Sequence, residues 1–195
     1  MAGNNYLEGK ILIAMPGMGD QRFDRSLIFM CAHSESGAMG IIINKTAPMM
    51  FFSDLVDQLK IVPHGEVRNL NEDMLNKPVL FGGPVEQFRG FVLHSTDYFT
   101  PNTSLAINAG VALTATLEIL QAIALGKGPL KTMLALGYSG WVAGQLENEI
   151  QHNSWLHCEA DDELLFGTNY DGKYGRALKK IGVDPLMLST EAGHG

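Results

Sequence analysis

LALGYSGWVAGQLENEIQHNSWL, running from Leu134 to Leu156, is the stretch on which the architecture depends. It reads as an apolar strand, a tight turn, a polar helix and a second strand. The turn holds Gly137, Tyr138, Ser139, Gly140 and Trp141, and the helix carries Gln145, Glu147 and Glu149. On a helix, Leu146 and Ile150 lie one turn apart and form the buried stripe. Gln145 lies one turn before Glu149, and Glu147 falls beside Gln151 on the far face. Paired acids of this kind suit general acid–base work or metal binding, or they make a solvated helix face. Trp141 and Trp155, the only tryptophans in the chain, bracket the helix as core anchors or as pocket walls.

Working outward toward the N-terminus, Ile11 to Met15 is a short apolar strand stopped by Pro16. Ser26 to His33 and Ala38 to Lys45 are two more strands, joined by the polar turn SESG as a β-hairpin. Phe52, Leu55, Val56 and Leu59 recur at helical spacing, with Ser53 placed to cap. Residues 60 to 77 read as a long surface loop. Val79 to Val85 is a strand running into a glycine turn, and Arg89 to Ser95 is another strand. Leu105–Ile107 and Val111–Leu113 flank Asn108-Ala109-Gly110 as a second hairpin. Leu117, Leu120 and Ala124 give one face of a helix that Gly126, Gly128 and Pro129 end.

Beyond the opening stretch, Asp161-Asp162-Glu163 starts a short turn or helix, with carboxylates suited to its N-terminus. Tyr174, Ala177, Leu178 and Ile181 make a last amphipathic helix. The tail from about residue 189 is small and polar, and expected to fray. Strands and helices interleave irregularly, which predicts a mixed α+β domain, one unit over residues 1–195, rather than a βαβ repeat.

Composition narrows the function classes. With 195 residues, 46% hydrophobic and 18% charged, the chain has enough apolar material for a substantial core. The net charge of -7 opposes binding to duplex DNA or anionic lipid, and only Lys179-Lys180 are adjacent basic residues. No apolar run reaches bilayer length, and MAGNNYLEGK lacks the pattern of a signal peptide, so the expected compartment is the cytoplasm. Cys31 and Cys158 are expected as buried thiols.

Several short patterns invite a chemical reading. Gly137-Tyr138-Ser139-Gly140-Trp141 matches a nucleophile elbow at the first glycine and the serine. Trp141, however, stands where an elbow has its last glycine, and no partner for Ser139 emerges from spacing. The other reading makes Ser139 and Gly140 turn the chain, with Ser139 capping the helix. Gly82-Gly83 before Pro84 offers backbone N–H groups to an anion, or is simply a tight turn. Neither a P-loop nor a G-x-G-x-x-G is present, so no cofactor is expected. The histidines His33, His64, His94, His152, His157 and His194 lack ligand spacing, so no metal site is expected either. His33 and His94 end apolar strands, where sites collect.

Four ordered blocks carry a resemblance: the N-terminal GKILIAMPGM with Asp20 and Phe23, SGAMGIIINK, FGGPVEQFRGFVLHS and GYSGWVAGQLENEIQHNSWL. Together they resemble the YqgE/AlgH family of bacterial proteins, from about Leu7 to about Ser189. The family pattern falls on Gly37, Ala38, Gly40 and Asn44, on Gly82 to Val85 with His94, and on Gly140, Trp141, Gly144, Gln145, Leu146 and Glu149. The resemblance implies an α+β fold with a branched, mostly antiparallel sheet curled into a pseudo-barrel with flanking helices. It also implies the family's label of transcriptional regulator, and supplies no agreed catalytic set.

Two functions follow as expectations. One is a non-enzymatic regulatory or binding protein acting through a small-molecule ligand or a protein partner, without direct DNA contact. The other is an enzyme of unrecognised type, a hydrolase or transferase, with a pocket at the GGP and GYSGW turns. The surface expected for either comprises Asn44, Gly82, Gly83, His94, Tyr138, Ser139, Gly140, Trp141, Gln145 and Glu149.

Overall fold

The computed structural model describes residues 6–62, 72–185 and 188. Among the described residues ten strands form one sheet: β1 (Lys10–Ala14), β2 (Leu27–Ser34), β3 (Gly37–Ile42), β4 (Thr46–Phe51), β5 (Pro78–Phe81), β6 (Val85–Ser95), β7 (Ser104–Ala106), β8 (Val111–Thr114), β9 (Thr132–Val142) and β10 (Trp155–Glu159). Their order is β10-β1-β2-β3-β9-β6-β8-β7, with β5 on β9 and β4 on β5. Pairing is antiparallel except between β5 and β9. The sheet branches because β9 pairs with β5 through Ala135 and Leu136, and with β3 through Ser139 to Val142. It curls into a half-barrel and the fold is α+β, as expected. The expected strands at Ile11, Leu27, Ile41, Val79, Val92 and Leu134 are β1, β2, β3, β5, β6 and β9.

Six helices cover the sheet among the described residues: α1 (Phe52–Gln58), α2 (Glu72–Leu75), α3 (Leu117–Ala124), α4 (Gln145–Gln151), α5 (Asp162–Phe166) and α6 (Tyr170–Lys180). The period-two geometry of a strand sends Ile11 and Ile13 to one apolar cluster, with α5 and α6 against it. Leu12 and Ala14 go to the other, under α4 with Trp141 and Trp155. Burial on both faces explains why β1 and β2 are continuous apolar runs rather than alternating ones. A third cluster packs α1 and α3 on Val79, Val92 and Leu134.

Local details depart from the sequence reading. The segment Gly137–Trp141 is not a tight turn: β9 runs through it to Val142, with Gly137 at φ +74° opposite a bulge of β6. The chain keeps going because β3 offers it a partner edge, Gly40 to Ser139 and Ala38 to Trp141. The turn falls at Ala143-Gly144, so Gly144, not Ser139, occupies the cap position of α4. Ser53 lies inside α1, whose entry is instead tied by the Asp54 carboxylate accepting from Phe51 N–H at 2.7 Å. The buried face of α3 is Ile119, Leu120, Ile123 and Ala124, while Leu117 is 58% exposed. The β2–β3 connection is two residues, since pairing continues to Ser34 and Gly37. The expected loop at 60–77 contains α2 at its end, and residues 63–71 lie outside the described residues, as does the tail beyond Leu188. β4 had no counterpart in the sequence reading.

Candidate functional site

The two glycine segments do meet, backbone against backbone. Gly82 N–H donates to Leu136 O and Gly82 O accepts from Ile42 N–H, both at 2.8 Å. A Cβ on Gly83 would stand 2.1 Å from the Tyr138 carbonyl carbon, and one on Gly137 2.4 Å from Gly83 O. The glycines therefore let β5, β9 and β6 cross at the branch point of the sheet. Ser139 is fully buried there, with its hydroxyl donating to Gly82 O at 3.5 Å. It faces backbone rather than a base, and the nucleophile-elbow comparison ends with that geometry.

The polar face of α4 is spent on packing its own surroundings. One oxygen of Glu149, Oε2, accepts from Trp141 Nε1–H at 2.9 Å and from Trp155 Nε1–H at 2.8 Å. The other accepts from Gln145 Nε2–H at 2.9 Å, and Gln145 Oε1 accepts from Val142 N–H at 3.1 Å. The indole rings meet edge to face at 5.9 Å. Glu149 thus converts two buried indole N–H groups from a desolvation cost into charge-assisted bonds. Glu147 reaches the other way. His33 Nε2–H donates to Glu147 Oε1 at 2.8 Å while its Nδ1 accepts from Leu7 N–H at 3.0 Å, which sets the tautomer. The Glu147 carboxyl is held below its usual range by its own backbone N–H and by His33.

His94 and Asn44 are likewise internally engaged. His94 is fully buried. Its Nδ1–H donates to Ser95 O at 2.9 Å, so its Nε2 accepts from the Thr114 hydroxyl at 2.8 Å. The Thr114 oxygen accepts in turn from Ser104, 2.8 Å away. Burial lowers the His94 pKa, with the Ser95 carbonyl and Asp97 opposing. Asn44 Oδ1 accepts from Leu27 N–H, and its Nδ2 donates to Arg25 O, both at 2.8 Å. It closes the loop before β2.

What the molecule leaves open lies beside these groups. A cleft of about 740 Å³ runs between the β2–β3 hairpin, β9, the start of β6 and the β7–β8 hairpin. Tyr138, Gly140 and Trp141 line it; Asn44, Gly82, Gly83, His94, Ser139, Gln145 and Glu149 do not. Its walls are largely apolar, including Met39, Val85, Leu105 and Leu113, with Glu86 and Arg89 at the opening. Those two form an exposed ion pair at 3.2 Å, and the Arg89 guanidinium lies 5.2 Å from the Phe91 ring centre. They are carried by a bulge of β6 in which the register jumps from Val85 to Gly90 opposite Gly137, with Glu86 at φ +47°. In the sequence Arg89 reads only as the start of a strand. The mixed run EQFRG between two apolar segments is the sequence trace of the bulge.

Cys31 and Cys158 are both buried and free. Register places Cys158 beside Ile11 and Ile11 beside Phe29, two residues before Cys31. With β1 between them and two residues of offset along the strand, their Cα atoms are about 12 Å apart, beyond disulfide reach. Among the described residues, no three His, Cys, Asp or Glu side chains group as metal ligands. No helix among them is long and apolar enough to cross a membrane.

A curled, branched antiparallel sheet with a glycine crossing and an apolar cleft defines an α+β half-barrel. The chain belongs to the AlgH-like family, whose model matches residues 11–186. It is 59% identical to a UPF0301 protein of Bradyrhizobium diazoefficiens over 189 residues, 97% of this chain and 88% of that one. A relative from Methylobacterium nodulans is 56% identical over 97% of this chain and 90% of its own. The solution structure of AlgH from Pseudomonas aeruginosa superposes with a TM-score of 0.77 at 34% identity, covering 100% of this chain and 99% of that one. A protein of Corynebacterium diphtheriae with 18% identity shares the fold, with a TM-score of 0.70 over 97% of this chain and 95% of its own.

Proposed function

We propose that this protein is a regulatory binding protein whose working surface is the cleft between β3, β6, β9 and β7, rather than an enzyme. The observation that supports the reading is a concave space of about 740 Å³, walled by apolar side chains and edged by Arg89, Glu86 and Tyr138. That size and lining suit a small ligand or a short segment of a partner protein, with an apolar body and a polar end. The groups first suspected of chemistry, Ser139, His94, Gln145 and Glu149, are committed to internal bonds beside the cleft and serve to shape it. A regulator built this way acts through ligand or partner and not by duplex contact, because a net charge of -7 repels phosphates.

The test uses 1-anilinonaphthalene-8-sulfonate, which joins an apolar ring system to an anion. Saturable one-to-one fluorescence enhancement is expected, weakened about tenfold or more by Leu105→Glu, a charge in the half-exposed wall. Enhancement that is absent, or equal in L105E, would sink the assignment.

A further inference from the structure

Four of the chain's 14 Lys and Arg residues fall within α6: Lys173, Arg176, Lys179 and Lys180. Lys180 is spent on Asp161 at 2.7 Å. The other three line a separate cleft of about 390 Å³, in which Glu163 is the one acid among the described residues. Lys173 is buried, its ammonium donating to Ile43 O at 3.1 Å and Leu165 O at 3.2 Å, so it supplies charge from beneath and does not leave. Arg176 and Lys179 are exposed, and among the described residues neither side chain makes a hydrogen bond or a close ion pair, although the Arg176 charge is near enough to help hold the Asp161 carboxyl below its usual range.

Gly175 lies in the interior of α6 and lines the same cleft. Glycine there destabilises a helix relative to alanine. Packing does not demand it: a Cβ at Gly175 would meet nothing nearer than Pro185 Cγ at 4.0 Å, and its φ is not in the left-handed range. What the missing side chain preserves is room in the cleft beside the Arg176 and Lys179 side chains.

We propose that this cleft binds the phosphate group of a small phosphorylated metabolite. Arg176 takes two phosphate oxygens through its planar fork, Lys179 supplies the second cation, and the bare backbone at Gly175 admits the anion. The size of the cleft fits a small ligand. The acidic surroundings favour a compact dianion over a nucleic acid strand, whose further phosphates would meet the protein's negative field. The site is independent of the apolar cleft, and its failure would leave that reading untouched.

Inorganic phosphate, and separately pyrophosphate, is titrated into isotope-labelled full-length protein at constant ionic strength, following the Gly172 and Gly175 amides, with chloride as control. Saturable shifts are expected with the phosphates and not with chloride. The double variant R176Q/K179Q is expected to weaken binding about tenfold or more, as loss of charge-assisted bonds requires. G175A is expected to raise the melting temperature while weakening binding by a similar factor. Shifts that fail to saturate, that chloride reproduces, or that either variant weakens by less than about tenfold would overturn the proposal.

Discussion

Glu149 shows how a residue that looks chemical becomes structural once its neighbours are known. Its carboxylate accepts from both tryptophans and from Gln145. Glu149→Ala leaves two indole N–H groups without an acceptor and is expected to cost about 3 kcal/mol in urea denaturation, with altered tryptophan emission. Glu147→Gln keeps an acceptor for His33 at a half-exposed site and is expected to change stability by less than about 1 kcal/mol. Equal losses in the two variants would refute the distinction. His94 makes a pH prediction. Its folded pKa lies below the ordinary 6.5 because burial disfavours the cation. The unfolded chain therefore takes up the proton first, so the contribution is complete above about pH 6.5 and is lost as pH falls through the lower, folded value. His94→Gln should flatten that part of the stability–pH curve, and a curve unchanged by the substitution would contradict the assignment. Thr114→Val removes the hydroxyl that donates to Nε2 and should cost about 1–2 kcal/mol.

Among the elements, β9 carries most of the architecture. It was legible as an apolar strand at Leu134–Leu136, but its continuation through Gly137–Val142 was not. Glycine, serine and tyrosine are turn-compatible locally, and only the waiting edge of β3 makes them a strand. The same limit applies to β4, whose TAPMMF is paired on one side by β5 and largely exposed. The crossing at Gly83 gives the sharpest test. Gly83→Ala forces a Cβ into the Tyr138 backbone at a positive φ of +153°, and is expected to destabilise by about 4 kcal/mol or prevent soluble expression. Unaltered stability would mean the segments do not cross as described. The helices were easier to find than to orient. For α3 the apolar spacing located the helix, but Leu117 turned outward because the face that meets Val92 and Leu134 begins two residues later.

For the whole molecule, charge makes the clearest statement. Three of the four basic residues of α6 line a small cleft, and the net charge remains -7. The isolated protein is expected to give no specific shift of a defined duplex at physiological salt. A sub-micromolar shift that survives competitor DNA would refute this. The cleft and the α6 site lie on different elements, which allows separate tests: L105E should leave phosphate titration unchanged, and R176Q/K179Q should leave dye binding unchanged.

Local chemistry was sufficient for the strands at Ile11, Leu27, Ile41, Val79, Val92 and Leu134, for the hairpins and for the α+β class, because apolar runs and turn residues act over a few positions. The four motif blocks likewise carried the family. Which polar groups stay free was decided only by tertiary structure. Ser139, His94, Asn44, Gln145 and Glu149 found partners on neighbouring elements, while the Arg176 and Lys179 side chains were left without a hydrogen bond on the exposed face of α6. A side chain's availability depends on what the fold brings within hydrogen-bonding distance, and that distance is set by strand register and by the curl of the sheet.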